Sequence, residues 1–173
     1  AVAVASSSPA VAARCAYARA CVGAVTTQNI TDPRLGPRGL ELMALGADAE
    51  AACAALARTA PHLEYRQFTL VDTQGKTACF SGRRVLGVHG EAQGDGVVSA
   101  GNLLANPTVP AAIVAAFSAA SDADLGDRVV AAMQAGLAAG GEAGPIRSCG
   151  LLMVEAVAWP VADLRVDWHD APL

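Results

Sequence analysis

The chain has 173 residues, which is enough for one domain with a sizeable core. Its formal charge of -4, with 12 Lys and Arg against 16 Asp and Glu, provides no basic excess, so we expect no nucleic-acid partner. Hydrophobic residues make up 53% of the chain, but the excess is largely alanine and no run approaches the roughly 20 apolar residues that span a bilayer, so we expect no membrane association.

Two apolar runs lie near the start of the chain, at Ala1–Ala5 and Cys21–Thr27. Neither run has a polar face, which is typical of strands that are covered on both sides. The intervening segment from Pro9 to Arg19 is too short and too irregular for a crossover helix. We therefore predict a wide turn and an antiparallel return between the two strands.

Two helices are predicted after these strands. A polar loop from Asn29 to Gly36 precedes Pro37, which suits the first turn of a helix that runs to about Leu45. Asp48 is a plausible N-cap for the next helix, which Pro61 ends.

A hairpin is predicted next, with strands at Tyr65–Val71 and Thr77–Ser81 joined by the turn Asp72–Gly75. The segment that follows is rich in glycine and polar residues. It predicts one weak strand at Val85–His89 and then a loop to Val98.

The last third of the chain is predicted to return to helices and then to strands. Gly101–Leu104 opens a helical region, with helices at Pro110–Ala120 and Leu125–Ala139, and strands follow at Ser148–Ala156 and Leu164–Trp168. Groups of strands that alternate with pairs of helices predict an α+β architecture, in which helices pack on antiparallel sheets, rather than a Rossmann alternation.

Small polar residues cluster where the first two strands end, at Ser6–Ser8 and Thr26–Asn29. Hydroxyl and amide groups at strand ends can line a site for a polar substrate, but a serine or threonine nucleophile needs a base and none is adjacent. An N-terminal Thr, Ser or Cys avoids this need because its own α-amine acts as the base. The alternative is that both clusters are ordinary turn residues.

The three histidines are His62, His89 and His169, and none lies in a GxSxG or HExxH motif. His169 belongs to the segment Asp163–Asp170, in which alternation places Asp163, Arg165, Asp167 and His169 on one face of a strand. This alternation indicates either a structural row of ion pairs or a catalytic relay on one strand face.

Asn102 follows Gly101 at the predicted opening of a helix. Its amide could orient a substrate carbonyl, or it could simply cap the helix. The glycine-rich pieces lack GxGxxG and Walker spacing, so nucleotide binding is disfavoured.

The cysteines have no CxxC spacing and no histidine at ligand distance, so we expect no metal site and no disulfide framework. Free thiols of this kind are typical of a reducing compartment and predict a cytoplasmic protein. A hydrolase that uses Cys15 or Cys149 is a further alternative, although neither has a neighbouring histidine. The five cysteines are Cys15, Cys21, Cys53, Cys79 and Cys149.

Several blocks in order carry a family resemblance: VAVASSSPAVAARCAYARACVGAVTTQNITDPRLGPRGLEL, EYRQFTLVDTQGKTACFSG, GNLLANPTV, GGEAGPIRSCGLLMV and DLRVDWHD. The chain resembles the DUF1028 family, an uncharacterised branch of the Ntn-hydrolase-like superfamily. The resemblance implies a four-layer αββα sandwich formed by a single domain over residues 1–173. It also implies a nucleophile strand before Ala1 and a helical segment after Leu173.

The resemblance also implies a set of site residues. Ser6 would be a polar partner of the nucleophile, and the backbone N–H groups near Thr27 and Gln28 would form an oxyanion hole. Arg66 would hold a substrate carboxylate. The other expected substrate contacts are Gln28, Asn29, Gln67, Asn102 and His169.

The leading functional hypothesis is therefore an amide-bond hydrolase of the N-terminal-nucleophile type. Its substrate would be a small acylated amino acid, a peptide or a related amide, and no cofactor is expected. The alternative is a catalytically inactive domain that binds a ligand or mediates oligomerisation. We expect a homo-oligomer, since the alanine-rich helices could pack closely against a partner.

Overall fold

The computed structural model describes residues 1–173 as an α+β fold with antiparallel sheets. Most strands fall where the apolar and alternating runs predict them, and the strand at Thr77–Ser81 has the predicted bounds. The nine strands are β1 (Val2–Ser6), β2 (Ala16–Arg19), β3 (Gly23–Gln28), β4 (Gln67–Asp72), β5 (Thr77–Ser81), β6 (Val88–Gly94), β7 (Val97–Leu104), β8 (Ser148–Met153) and β9 (Ala162–Val166).

The four longer helices agree closely with the sequence signals. Asp48 caps its helix as predicted, since its Oδ1 accepts a hydrogen bond of 2.9 Å from the backbone N–H of Ala51. None of the helices combines the length and the apolar character needed to cross a bilayer. The helices are α1 (Ala12–Cys15), α2 (Leu35–Ala44), α3 (Ala49–Thr59), α4 (Val109–Ala119) and α5 (Leu125–Ala138), and a short 3-10 helix lies at Leu63–Tyr65.

The strands form three antiparallel sheets: β1-β8-β9, β2-β3-β4-β5 and the hairpin β6-β7. The predicted antiparallel return from the first apolar strand to the second is wrong. β1 instead pairs with β8, far along the chain, with Ser6 opposite Ser148. The strand β3 has β4 on one edge and the short strand β2 on the other, with Ala16 of β2 opposite Thr26.

The segment between the first two apolar strands is not a simple turn, because it contains the helix α1 and the strand β2. Ser148 fixes its start: the hydroxyl Oγ donates to the carbonyl of Ser8 (2.6 Å) and accepts from the N–H of Val11 (3.1 Å). Ser148 is fully buried and lies more than 130 residues away in sequence. No local pattern could therefore have revealed this anchor.

The largest core lies between the four-stranded sheet and the helices α2 and α3. Alternating residues of β3 and β4 supply the sheet side of this core, because successive side chains of a strand point to opposite faces. They include Val25, Phe68 and Leu70, which pack with Leu40 and Leu56 of the helices. The opposite face of β3 and β4 is thereby directed away from α2 and α3.

The predicted helical opening at Gly101–Leu104 is wrong, since these residues belong to the strand β7. Its partner β6 pairs with it through a tight turn at Asp95–Gly96, where Gly96 has a positive φ of 65°. An Asp-Gly pair is a strong hairpin signal, and it outweighs the weak strand propensity of the surrounding glycines. The weak strand predicted at Val85–His89 begins later, at Val88.

The hairpin β6-β7 packs against β4 and β5 on one side and against α4 on the other, and α5 packs on α4 and β1. Helices therefore lie outside the strands on both sides of the molecule. This arrangement leaves space between the inner face of the four-stranded sheet and the elements β1, β7, α4 and α5.

Candidate functional site

Four polar side chains form two cross-strand pairs on the inner face of β3 and β4. The antiparallel register places Gln28 opposite Gln67, and Thr26 opposite Thr69. The hydroxyls of Thr26 and Thr69 lie 2.7 Å apart, and Nε2 of Gln28 donates to Oε1 of Gln67 over 2.7 Å. Cross-strand pairs of this kind align the polar groups on one face of the sheet.

Gln67 is the centre of the polar network and is 0% exposed. Its Oε1 accepts from Gln28 and also from Nδ2 of Asn102 (3.3 Å). Its Nε2 donates to Oγ of Ser81 (2.9 Å) and to the carbonyl of Gly101 (3.1 Å). The amide of Gln67 is thus fully engaged and ties β4 to β5 and β7.

A cavity of about 620 Å³ lies beside this network, between the sheet and the elements β1, β7, α4 and α5. Its volume falls in the range typical of small-molecule sites. The polar residues Thr26, Gln28, Thr69 and Asn102 line one wall. The facing wall is apolar and includes Val109, Ile113, Phe117, Val129, Met133 and Leu137 from α4 and α5.

Two hydrogen-bond acceptors on the polar wall remain free. Nε2 of Gln28 donates to Gln67 and to the carbonyl of Ala100 (2.9 Å), which leaves Oε1 of Gln28 without a partner. Oδ1 of Asn102 also has none. Every buried side-chain oxygen and nitrogen has a partner, so neither of these carbonyl oxygens is buried, and both residues line the cavity. A molecule with N–H donors suits this wall.

Acidic residues outnumber basic ones around the cavity, where Asp72, Glu142 and Glu155 stand against Arg19. Two of the acids are engaged within the protein. Asp72 accepts from three backbone N–H groups, and Oε2 of Glu142 accepts from the N–H of Ser7 over 3.0 Å. This balance favours a neutral or positively charged molecule over an anion.

Two of the residues predicted to be catalytic lie outside the cavity lining. Oγ of Ser6 accepts from the N–H of Ser8 (3.1 Å), a local contact that shapes the end of β1. Thr27 is fully buried on the other face of β3, and its hydroxyl donates to the carbonyl of Asp32 (3.3 Å). Their neighbour Gln28, which was predicted with them, does line the cavity.

The predicted substrate contacts Arg66 and Asn29 hold loops together. The guanidinium of Arg66 is buried and donates to the backbone carbonyls of Pro61 (3.0 Å) and Ile30. Asn29 adopts a positive φ of 57°, donates to the carbonyl of Tyr65 and accepts from the N–H of Leu86 (2.9 Å). The structure does not bring either side chain to the cavity.

His169 lies beyond the end of β9, so the predicted strand face does not extend to it. It is exposed, and its Nδ1 accepts from the N–H of Ala171 (3.0 Å). Within the same segment, Arg165 and Asp163 form an ion pair with two contacts of 2.7 and 3.0 Å. The pair agrees with the structural alternative for this alternating segment.

The polar wall includes Thr69, which was not predicted, and Thr26, which belonged to a predicted polar cluster but had no assigned role. Thr69 lies two positions after Gln67 and Thr26 two positions before Gln28, so strand alternation places each pair on one face. This alternation can be seen in the sequence. The sequence does not reveal the strand register, which places Thr26 opposite Thr69 and Gln28 opposite Gln67. Ser99 and Glu142 also line the cavity and carry no sequence signal.

Asn102 reaches the site from a strand and not from the start of a helix. The predicted helix-capping alternative is therefore wrong. No group of three or more His, Cys, Asp or Glu side chains is arranged to hold a metal ion.

Comparisons with other proteins identify the family of the chain, but they do not assign an activity to it. The protein-family model described as "Family of unknown function (DUF1028)" matches residues 1–173. The crystal structure of protein SPO2555 from Silicibacter pomeroyi, itself assigned to DUF1028, is similar with a TM-score of 0.87 and 26% sequence identity. The match covers 96% of this chain and 74% of that one. No curated protein matches significantly.

Proposed function

The chain belongs to the DUF1028 family, and we propose that its cavity binds a small molecule with an apolar body and an amide group, such as the amide of an acylated amino acid or a short peptide. The observation that carries this proposal is the pair of free carbonyl oxygens on Gln28 and Asn102 at the edge of an apolar cavity. The N–H of an amide would donate to this pair, while the acyl or side-chain portion would contact α4 and α5.

Rigidity of the polar wall supports this proposal. Gln28 and Asn102 both donate to the buried amide of Gln67, so their side chains are held in place before a ligand arrives. Pre-organised groups lose little conformational entropy on binding, which raises the affinity gained from each hydrogen bond.

A matched pair of ligands tests the proposed contact. The first ligand is an N-acyl amino acid amide. The second is the ester in which an oxygen atom replaces the N–H of the acyl amide group, so the two ligands differ in that hydrogen-bond donor. The amide should bind about tenfold more tightly in isothermal titration, the equivalent of roughly 1.4 kcal/mol. Equal affinities for the amide and the ester would contradict the proposed role of Gln28 and Asn102.

Variants of the polar wall provide the second arm of the test. Asn102→Ala removes one free acceptor and should weaken amide binding about three- to tenfold, with little effect on the ester. Gln134→Ala is the matched control, because Gln134 is exposed on α5 and does not line the cavity. This control should bind both ligands as the unsubstituted protein does.

We also propose, as a second candidate, that the bound amide is hydrolysed by an N-terminal nucleophile. The superfamily resemblance of the sequence blocks and the helices outside the strands on both sides, an arrangement compatible with an αββα sandwich, support this candidate. No His or Lys lines the cavity, and the hydroxyls of Thr26 and Thr69 bond to each other. The nucleophile would therefore be a residue outside 1–173 whose α-amine is the base.

The mass and first residue of the mature natural protein test the hydrolytic candidate. A mature start at Thr, Ser or Cys, together with turnover of N-acyl amino acid amides that is lost when that residue is replaced by Ala, would support it. Any other starting residue would rule out this mechanism. Ligand binding without turnover would leave the protein as the inactive binding domain of the first proposal.

A further inference from the structure

The strand β9 has an unpaired edge. It is one of the two outer strands of the sheet β1-β8-β9, and no strand within residues 1–173 pairs with its second edge. Unpaired edges can add a strand from another chain through backbone hydrogen bonds, and natural proteins commonly block them with charges, prolines or bulges. The charges on β9 therefore determine which strand of another chain can pair with this edge.

Those charges are arranged symmetrically about Leu164. Asp163 precedes it and Arg165 follows it, and both side chains lie on the same strand face, where they form an ion pair. An antiparallel copy of β9 centred on Leu164 would place Asp163 of one chain opposite Arg165 of the other, twice per pair. Opposite charges in directly opposed positions stabilise a pair of strands, whereas like charges destabilise it. The edge is thus complementary to itself.

The flanks of β9 are apolar and exposed. Trp159 is 69% exposed, Leu164 59% and Trp168 61%. In the same antiparallel register, the segment Trp159–Val161 of one copy would lie beside Trp168 of the other. Clusters of exposed large apolar residues, and tryptophans above all, are typical of protein interfaces. Two separate observations, charge and apolar surface, therefore fit the same arrangement.

We propose that β9 pairs with β9 of a second copy of this chain in antiparallel register, with the two-fold axis at Leu164. Such an interface uses the same surface on both subunits, as in most homodimers. It joins two three-stranded sheets into one six-stranded sheet and leaves the cavity, which β9 does not line, outside the interface.

A charge exchange tests this proposal. Arg165→Asp would place like charges opposite each other at two points and should weaken the dimer at least tenfold in analytical ultracentrifugation. The double variant Asp163→Arg, Arg165→Asp reverses both positions and should restore the affinity to within about threefold. Circular dichroism of each variant checks that the monomer is folded.

Disulfide trapping is the second measurement, made on Leu164→Cys in a Cys21→Ser background that removes an exposed thiol. Directly opposed strand positions lie close enough for a disulfide, so oxidation should convert the protein to a covalent dimer. A protein that is monomeric at all concentrations would overturn the proposal. A dimer that neither responds to the charge reversal nor forms the disulfide would overturn it as well.

Discussion

Gln28 and Gln67 face each other across the β3-β4 pair, and Nε2 of Gln28 donates to Oε1 of Gln67 over 2.7 Å. This contact links a fully buried amide to one that lines the cavity. Gln67 also bonds to β5 and β7. Its side chain therefore holds Gln28 and Asn102 in fixed positions on the polar wall.

Gln67→Ala should destabilise the protein by about 2–5 kcal/mol. The substitution leaves a void and removes the partners of Gln28, Asn102 and Ser81 together. Urea denaturation measures the change, with Gln134→Ala as the exposed control. A loss below about 0.5 kcal/mol would mean that Gln67 does not organise the wall.

Gly36→Ala should destabilise the fold by about 1–3 kcal/mol. Gly36 lies in the first turn of α2, and a Cβ atom there would overlap the ring of Tyr17. Tyr17 is held by its hydroxyl, which donates to the carbonyl of Arg14 (3.1 Å). Thermal unfolding should show the loss, while Gly144→Ala, where a Cβ would meet open space, should change stability by less than about 0.5 kcal/mol.

Acid stability should depend on Asp32. Hydrogen bonds from the Arg34 guanidinium, two of 2.8 Å, hold the pKa of Asp32 below its ordinary value. The folded state binds this proton less readily than the unfolded state, so the stabilisation is present above the ordinary pKa and is lost as pH falls through the folded one.

Asp32→Asn removes this dependence. The stability advantage of the unsubstituted protein should be constant at neutral pH and should shrink as the pH falls below the ordinary carboxyl pKa. Denaturation curves recorded across the acid range measure the difference. A difference that grows on acidification would contradict the assignment.

Cys21 should be the cysteine that reacts first with iodoacetamide at neutral pH. It is exposed, whereas burial raises the pKa of Cys53 to about 11 and that of Cys79 to about 12, and the thiolate is the reactive form. Peptide mapping after brief labelling should find the label at Cys21. Rapid labelling that persists in Cys21→Ser would show that a buried thiol is more accessible than the structure indicates.

Much of the fold follows from local pattern. The strand at Thr77–Ser81 and the Asp48 cap were predictable because alternation and capping are short-range effects. The pairing of β1 with β8 and the anchoring by Ser148 were not, since both join residues more than 130 positions apart. The strand β7 was missed because glycines weaken strand propensity while pairing with β6 supplies the stability.

The candidate site shows the same division. Gln28, Gln67 and Asn102 were predicted as contacts, and the structure brings these three together in one network. Arg66 was predicted to hold a carboxylate because arginine suits that role, but its guanidinium is engaged by backbone carbonyls. Residue type alone could not show whether the arginine is buried and binds loop carbonyls or faces a cavity.

The central claim is that Gln28 and Asn102 receive a ligand N–H in the cavity, and NMR observes both side-chain amides directly. Titration of ¹⁵N-labelled protein with an N-acyl amino acid amide should shift the side-chain NH₂ signals of Gln28 and Asn102 in a saturable manner and leave that of Gln134 unchanged. Saturable shifts confined to residues outside the cavity, with these two signals unmoved, would contradict the account.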